Sequence, residues 1–323
     1  MMNKKIIFSI ALVFIALLVI GTASAGIFEF LGVGEDTIRI GYLPSDHDAA
    51  LFVADAKGYF EKEDLTVDLI KYNNGNELMK AMENDEIDVG YVGVAPALYS
   101  IGNGGNSKII SSAQNEGSGL VVSSNSGITS SSDLVGKKVA IPGEGSIQEL
   151  LLSYYLSDNG ISNKELKIKN VKAPQMNEAL ENGEIAGAMT FQPYVTIAES
   201  NGNTLLASSS DILPNHPCCV VIASDNFIKD HAEDAEKVVS IHKKATKFIN
   251  DNIKKGKTSR VVDLLPSEIV QDKELEVTSL ESFPFTSGMS SNFKSNVMTF
   301  QQLEAAMGAI KDPLSKDQIF WEA

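Results

Sequence analysis

Two short segments carry most of the reactive side chains in this chain. His216-Pro217-Cys218-Cys219 joins an imidazole to two adjacent thiols, and Ser45-Asp46-His47-Asp48 adds a hydroxyl, a second imidazole and two carboxylates. Imidazole and thiolate together suit a transition metal, a metal chelate or a thiol-bearing compound. A cysteine nucleophile with His47 or His216 as its base is the enzymatic version of the same residues. The competing reading is structural: Cys218 and Cys219 open an apolar run that ends at Ile222, and buried cysteine commonly packs as a small hydrophobe. Neighbouring strand residues face opposite sides, so at most one thiol, taken as Cys218, is expected to reach a pocket. His231, at a helix start, and His242, beside Lys243 and Lys244, are expected in solvent.

No other motif supplies catalysis. The sequence lacks Gly-x-Ser-x-Gly, His-Glu-x-x-His, the phosphate-cradling Gly-x-x-x-x-Gly-Lys and a dinucleotide glycine fingerprint after its first strand. A binder is expected rather than an enzyme, with no catalytic residue, no resident metal and no cofactor.

Charge narrows the partners. The 27 Lys and Arg against 42 Asp and Glu give −15, the wrong sign for phosphate backbones, so nucleic-acid binding is not expected. The 323 residues, 43% hydrophobic and 21% charged, suit a globular protein large enough for two domains. Its only two cysteines are adjacent, so no disulfide can staple distant segments. At the amino end, Lys4 and Lys5 precede an apolar run from Ile6 to Ile20 and the small-residue site Ala23-Ser24-Ala25. That layout is a secretory signal peptide over 1–25, too short for the roughly 20 apolar residues of a spanning helix. The protein is expected to be exported, or tethered to the membrane if the leader stays.

These side chains need a scaffold. After a spacer, 26–36, β-branched runs alternate with stretches of helical period, which argues for an α/β fold. Strands are expected at 38–43, 67–72, 89–93, 108–113, 120–123, 138–141, 166–171, 187–191, 204–208 and 218–224. Helices are expected at 49–57 and 147–159, stopped by Gly58 and Gly160, and at 77–83 and 177–181. From Ala232 the chain reads as mostly helical. The segment Ala81 to Gly90 lines up with Ala179 to Ala188, offset by 98 residues, each reading as helix end, tight turn and strand. One recurrence at domain spacing implies two similar lobes with a cleft between them, where small ligands favour binding. The chain is expected to cross between lobes in 118–132 and 208–217, giving one lobe from 37–122 and 217–323 and another from 123–216.

Four ordered pieces carry a family resemblance: Ile38-Arg39-Ile40-Gly41-Tyr42, Ala54-Asp55-Ala56-Lys57-Gly58-Tyr59-Phe60, Glu86-Ile87-Asp88-Val89-Gly90 and Asp133-Leu134-Val135-Gly136-Lys137-Lys138-Val139-Ala140. Over about 37–310 the chain resembles the extracytoplasmic solute-binding proteins of ABC importers, in the nitrate, sulfonate/taurine, bicarbonate and thiamine-precursor group. The resemblance implies a two-lobed, type II-like periplasmic-binding-protein fold, each lobe a doubly wound sheet, that closes on a small molecule and docks on a permease with its ATPase; a monomer is expected. It also implies a pocket at strand ends and helix amino ends: Ser45, Asp46 and His47; Val94, Ala95 and Pro96; Gly145, Ser146 and Ile147; Phe191 and Gln192. His216 and Cys218, in the return segment expected near the cleft, are added from this sequence's own departure from the family pattern. Bland readings stand beside these. Ser146 suits a helix cap, Pro96 a helix start, and Phe191 the core. Two carboxylates beside His47 depart from a simple anion pocket and disfavour nitrate or sulfate-like guests. A small organic anion such as a sulfonate is the first expectation. The alternatives are a pyrimidine-like or metal-chelate ligand, or a Cys/His-dependent enzyme on the same fold.

Overall fold

The computed structural model describes residues 37–322. The expected leader and the whole spacer lie outside the described residues.

Among the described residues, eleven strands form two sheets. The first is ordered β11(Phe285–Gly288), β4(Ser107–Asn115), β10(Pro217–Ser224), β3(Val89–Gly93), β1(Thr37–Tyr42), β2(Thr66–Lys71). The second is ordered β7(Lys167–Asn170), β6(Lys138–Ile141), β8(Gly187–Phe191), β5(Ser118–Val122), β9(Thr204–Ser208). Each sheet contains the same motif. β2-β1-β3 and β7-β6-β8 are parallel, and each is followed by an antiparallel strand, β10 or β5. Helices cover the parallel strands, as βαβ crossovers require.

The 98-residue repeat is the basis of this likeness. The helices Gly75–Glu83 and Ala173–Glu181, and the strands β3 and β8, coincide at that offset. Asp85 and Gly183 share a left-handed backbone, φ 56° and 70°, at the turn into the strand. In the first copy Arg39 reads the turn: its guanidinium donates to Asp88 at 2.6 and 3.0 Å and to the Asp85 carbonyl at 2.7 Å. That fork pins β1 to the start of β3.

Two expectations need correction. β5 pairs with β8 and β9, so residues 118–122 belong to the second sheet rather than the first. The first crossing is the pair Glu116-Gly117, with φ 62° and 79°, and not the serine-rich stretch after it. It lies beside the return crossing: Glu116 N donates to the His216 carbonyl at 3.2 Å, and Asn215 N to Glu116 Oε1 at 2.7 Å. The carboxy-terminal part also holds a strand, β11, on the edge of the first sheet. Four residues, two of them Ser and Gly, carry too little pattern to mark it.

His242 is the other surprise. It is buried in the helix Ala232–Lys254, on the same stripe as Val238, Ile241, Ala245 and Ile249. Its Nε2 lies 2.9 Å from the Ser112 carbonyl and its Nδ1 3.2 Å from the Tyr91 hydroxyl. Helical spacing from Val238 dictates this burial and outweighs the adjacent lysines. His231 stays exposed at the amino end of the helix.

Candidate functional site

The seam between the sheets holds a cavity of about 100 Å³. From the first lobe, Ser45, His47, Asp48, Asn74, Gly93, Pro96, Cys218 and Cys219 line it; from the second, Glu144, Ser146, Ile147, Lys172, Phe191 and Tyr194 do. The lobes touch around it. Asn76 Nδ2 donates to the Glu144 carbonyl at 2.8 Å, and Ser45 Oγ to the Gln192 carbonyl at 3.0 Å. The Tyr194 hydroxyl donates to the Pro44 carbonyl at 3.4 Å.

Four helices aim their amino ends at this space. Their capping residues are Asn74 for Gly75–Glu83, Gly93 for Val94–Gly102, Ser146 for Ile147–Asp158 and Lys172 for Ala173–Glu181, and all four line the cavity. Asn74 accepts from Glu77 N at 2.9 Å and Ser146 from Glu149 N at 3.2 Å, while Gly93 and Lys172 offer no side-chain cap. The uncapped N–H groups and the positive helix ends favour an anion. Lys172 is the one lysine or arginine among the described lining residues.

The expected residues separate into three groups. Ser45, His47, Pro96, Ser146, Ile147, Phe191 and Cys218 reach the cavity wall. Asp46 and Gln192 lie behind it in a latch between lobes: Ser279 Oγ donates to Asp46 Oδ2 and, at 3.2 Å, to Gln192 Oε1, and Gln192 Nε2 donates to Ser282 Oγ at 3.0 Å. Val94, Ala95, Gly145 and His216 do not line the cavity. Val94 and Ala95 are buried in the first helical turn; Gly145, at φ 72°, donates its N–H to Glu149 at 2.6 Å. His216 is buried, with Nδ1 2.7 Å from the Leu213 carbonyl.

Asn74, Asn76, Gly93, Lys172 and Tyr194 were not anticipated, yet the repeat marks most of them. At an offset of 98, Pro44 pairs with Pro142, Asp48 with Ser146, Asn74 with Lys172, Asn76 with Pro174 and Gly93 with Phe191, and every one of these lines the cavity. Equivalent ends of equivalent elements meet when two related lobes face each other.

Burial favours the neutral form of both carboxyls beside His47. Burial pushes Asp48 up to about 8, against a hydrogen bond from Leu43 N at 2.9 Å, so its carboxyl is largely protonated at neutral pH. Burial also raises Asp46, opposed by the charge of His47.

Both thiols reach the wall, which corrects the expectation of one. The register of β10 against β4 shifts between Pro217 and Cys219 and again between Cys219 and Val220, so strict alternation fails here. Cys218 Sγ lies 3.9 Å and Cys219 Sγ 3.7 Å from His47 Nδ1. The His47 ring packs edge-on against Phe283, centroids 4.8 Å apart, and its Nε2 is 3.2 Å from the Gly117 carbonyl. A Cβ at Gly117 would fall 2.6 Å from that nitrogen, so glycine is required both for the hinge backbone and for the ring.

Two matched α/β lobes, two adjacent crossings and a cavity in the seam define the periplasmic-binding-protein fold. The chain belongs to the NMT1-like family, matching it over residues 32–265. The taurine-binding periplasmic protein of Escherichia coli is 27% identical over 157 residues, 48% of this chain and 49% of that protein. Among solved structures, the periplasmic aliphatic sulphonate binding protein SsuA from Escherichia coli matches with a TM-score of 0.74 at 18% identity, covering 89% of this chain and 98% of its own. A ligand binding component of an ABC-type import system from Staphylococcus aureus, solved with zinc bound, matches at 0.77 and 21% identity, over 89% of this chain and 97% of its own.

Proposed function

We propose that this chain is the extracytoplasmic substrate-binding component of an ABC importer and captures a small organic anion of the sulfonate class between its lobes. The observation that carries the reading is the convergence of four helix amino ends on one inter-lobe cavity. Backbone N–H groups and Lys172 receive the anionic head, Ser146 and His47 add side-chain polarity, and Phe191 and Tyr194 wall the apolar part. The taurine and aliphatic sulphonate ligands named for two relatives support the same class.

Ligand contacts from both lobes exist only in the closed form, so binding shifts the population towards closure, and closure signals a permease with its ATPase. The chain works as a monomer and makes or breaks no bond. No helix among the described residues is long and apolar enough to cross a membrane.

Calorimetric titration with taurine, ethanesulfonate, acetate, nitrate and a pyrimidine tests the reading. A sulfonate should bind with a Kd of about 1 μM or tighter, roughly −8 kcal/mol. Lys172→Glu should weaken that binding about tenfold by reversing charge at a helix amino end. Heat with the pyrimidine alone, or with none of the five, would overturn the assignment.

A further inference from the structure

The floor of the cavity presents one imidazole nitrogen and two sulfurs that all lie within 4.8 Å of one another, and all three residues are buried. The two thiols share a side because of the irregular register around Cys219. Tetrahedral zinc, with Zn–S near 2.3 Å and Zn–N near 2.0 Å, places ligand N and S atoms about 3.6 Å apart. The observed 3.7 and 3.9 Å from His47 Nδ1 match that edge closely. The second ring nitrogen is also placed as a metal site needs it. With Nε2–H donating to the Gly117 carbonyl at 3.2 Å, Nδ1 keeps its lone pair and turns it to the sulfurs.

Thiols that merely filled apolar space would need neither the bulge nor the oriented imidazole. We propose that His47, Cys218 and Cys219 bind a zinc-class divalent cation, with the fourth coordination position open to the cavity. All three residues line the cavity, so an ion held by them has its remaining face towards the captured molecule. The two thiol protons pass to solvent as the sulfurs coordinate as thiolates, and the resulting Cys₂His–Zn²⁺ unit is neutral. No electron is transferred. The fourth position takes an oxygen, nitrogen or sulfur donor from the guest, which favours guests carrying such a donor over purely apolar ones. This inference uses the cavity of the preceding section but does not depend on the guest being a sulfonate.

The test is titration of the full chain, purified under reducing conditions and stripped of metal with a chelator, with Co²⁺ and then Zn²⁺. One equivalent of Co²⁺ should give thiolate-to-cobalt charge-transfer absorption in the near ultraviolet, together with the strong visible bands of a tetrahedral site. Zn²⁺ should abolish both at one equivalent. Zn²⁺ should also raise the melting temperature of the parent chain. His47→Ala, C218S and C219S should each lose metal affinity by about 100-fold or more, since loss of an outer-shell partner alone costs about 10–100-fold. Apo variants that melt cooperatively with unchanged circular dichroism show that this loss is not unfolding. Absence of the charge-transfer band, with substoichiometric metal by equilibrium dialysis, overturns the metal site. Sulfonate binding measured in the same sample then decides the function of the cavity separately.

Discussion

Gly93→Leu is expected to weaken ligand binding at least 100-fold, about 2.7 kcal/mol, while the free protein remains folded. Gly93 caps the helix Val94–Gly102 with φ −60°, a backbone open to any residue. A Cβ there would meet Ile147 Cδ1 at 3.2 Å and Pro96 Cδ at 3.3 Å, with the rest of a leucine reaching farther into the seam. Ile147 belongs to the opposite lobe, so the added side chain acts as a wedge. Overpacking costs about 1–3 kcal/mol when the structure cannot yield, but an open molecule yields by keeping its lobes apart. The cost therefore falls on the closed, liganded state. Calorimetry and a thermal melt on the same variant check this; an unchanged Kd would show that closure does not bring Gly93 and Ile147 together.

Thermal stability is expected to fall as pH rises from about 6.5 to 8. Burial pushes Glu276 and Glu304 up to about 9 and Asp48 up to about 8. Glu276 Oε1 and Glu304 Oε2 are buried without a hydrogen-bond partner, which favours the neutral acid. Unfolded, these groups ionise near pH 4. Their protonated folded forms are fully tolerated below that value, and stability is lost towards the folded values because the native state then binds more protons than the unfolded one. Each group contributes a slope of about 1.4 kcal/mol per pH unit within its window. His242 acts oppositely: burial lowers it to about 4, so it costs stability as pH drops below about 6.5. Above that pH His242 no longer contributes; the raised His47 adds to the loss, and Cys218, held well below its ordinary value, opposes it. Melts of the parent chain should shift down by about 10 °C between pH 6.5 and 8, at about 2–4 °C per kcal/mol for this size. Glu304→Gln should flatten the slope and raise the melting temperature at pH 8. A parent profile that is flat or rises over this range would contradict the burial argument.

The alternating strand and helix pattern makes the architecture readable because parallel βαβ units have a strong period. Val89–Gly93, Lys138–Ile141, Gly187–Phe191 and Thr204–Ser208 emerge with the expected bounds. Much of the cavity is equally readable, since the 98-residue offset marks matched residues on both walls, Asp48 with Ser146 and Asn74 with Lys172 among them. What stays hidden depends on long-range packing. The latch of Asp46, Gln192 and Ser279 joins residues from three distant segments, and the bulge that turns Cys218 and Cys219 to one side arises from pairing with β4. The hinge escapes for a different reason. Serines after Gly117 suggest a linker, but Ser118–Val122 is buried in a sheet, and β-branched neighbours count for more there than serine content.

The central claim is closure of two lobes on a small organic anion. Small-angle X-ray scattering of the chain, titrated with ethanesulfonate and taurine, tests it most directly. The radius of gyration should fall saturably with one of these ligands, and Gly93→Leu should blunt the fall. Scattering curves that superimpose at every ligand concentration would contradict the account.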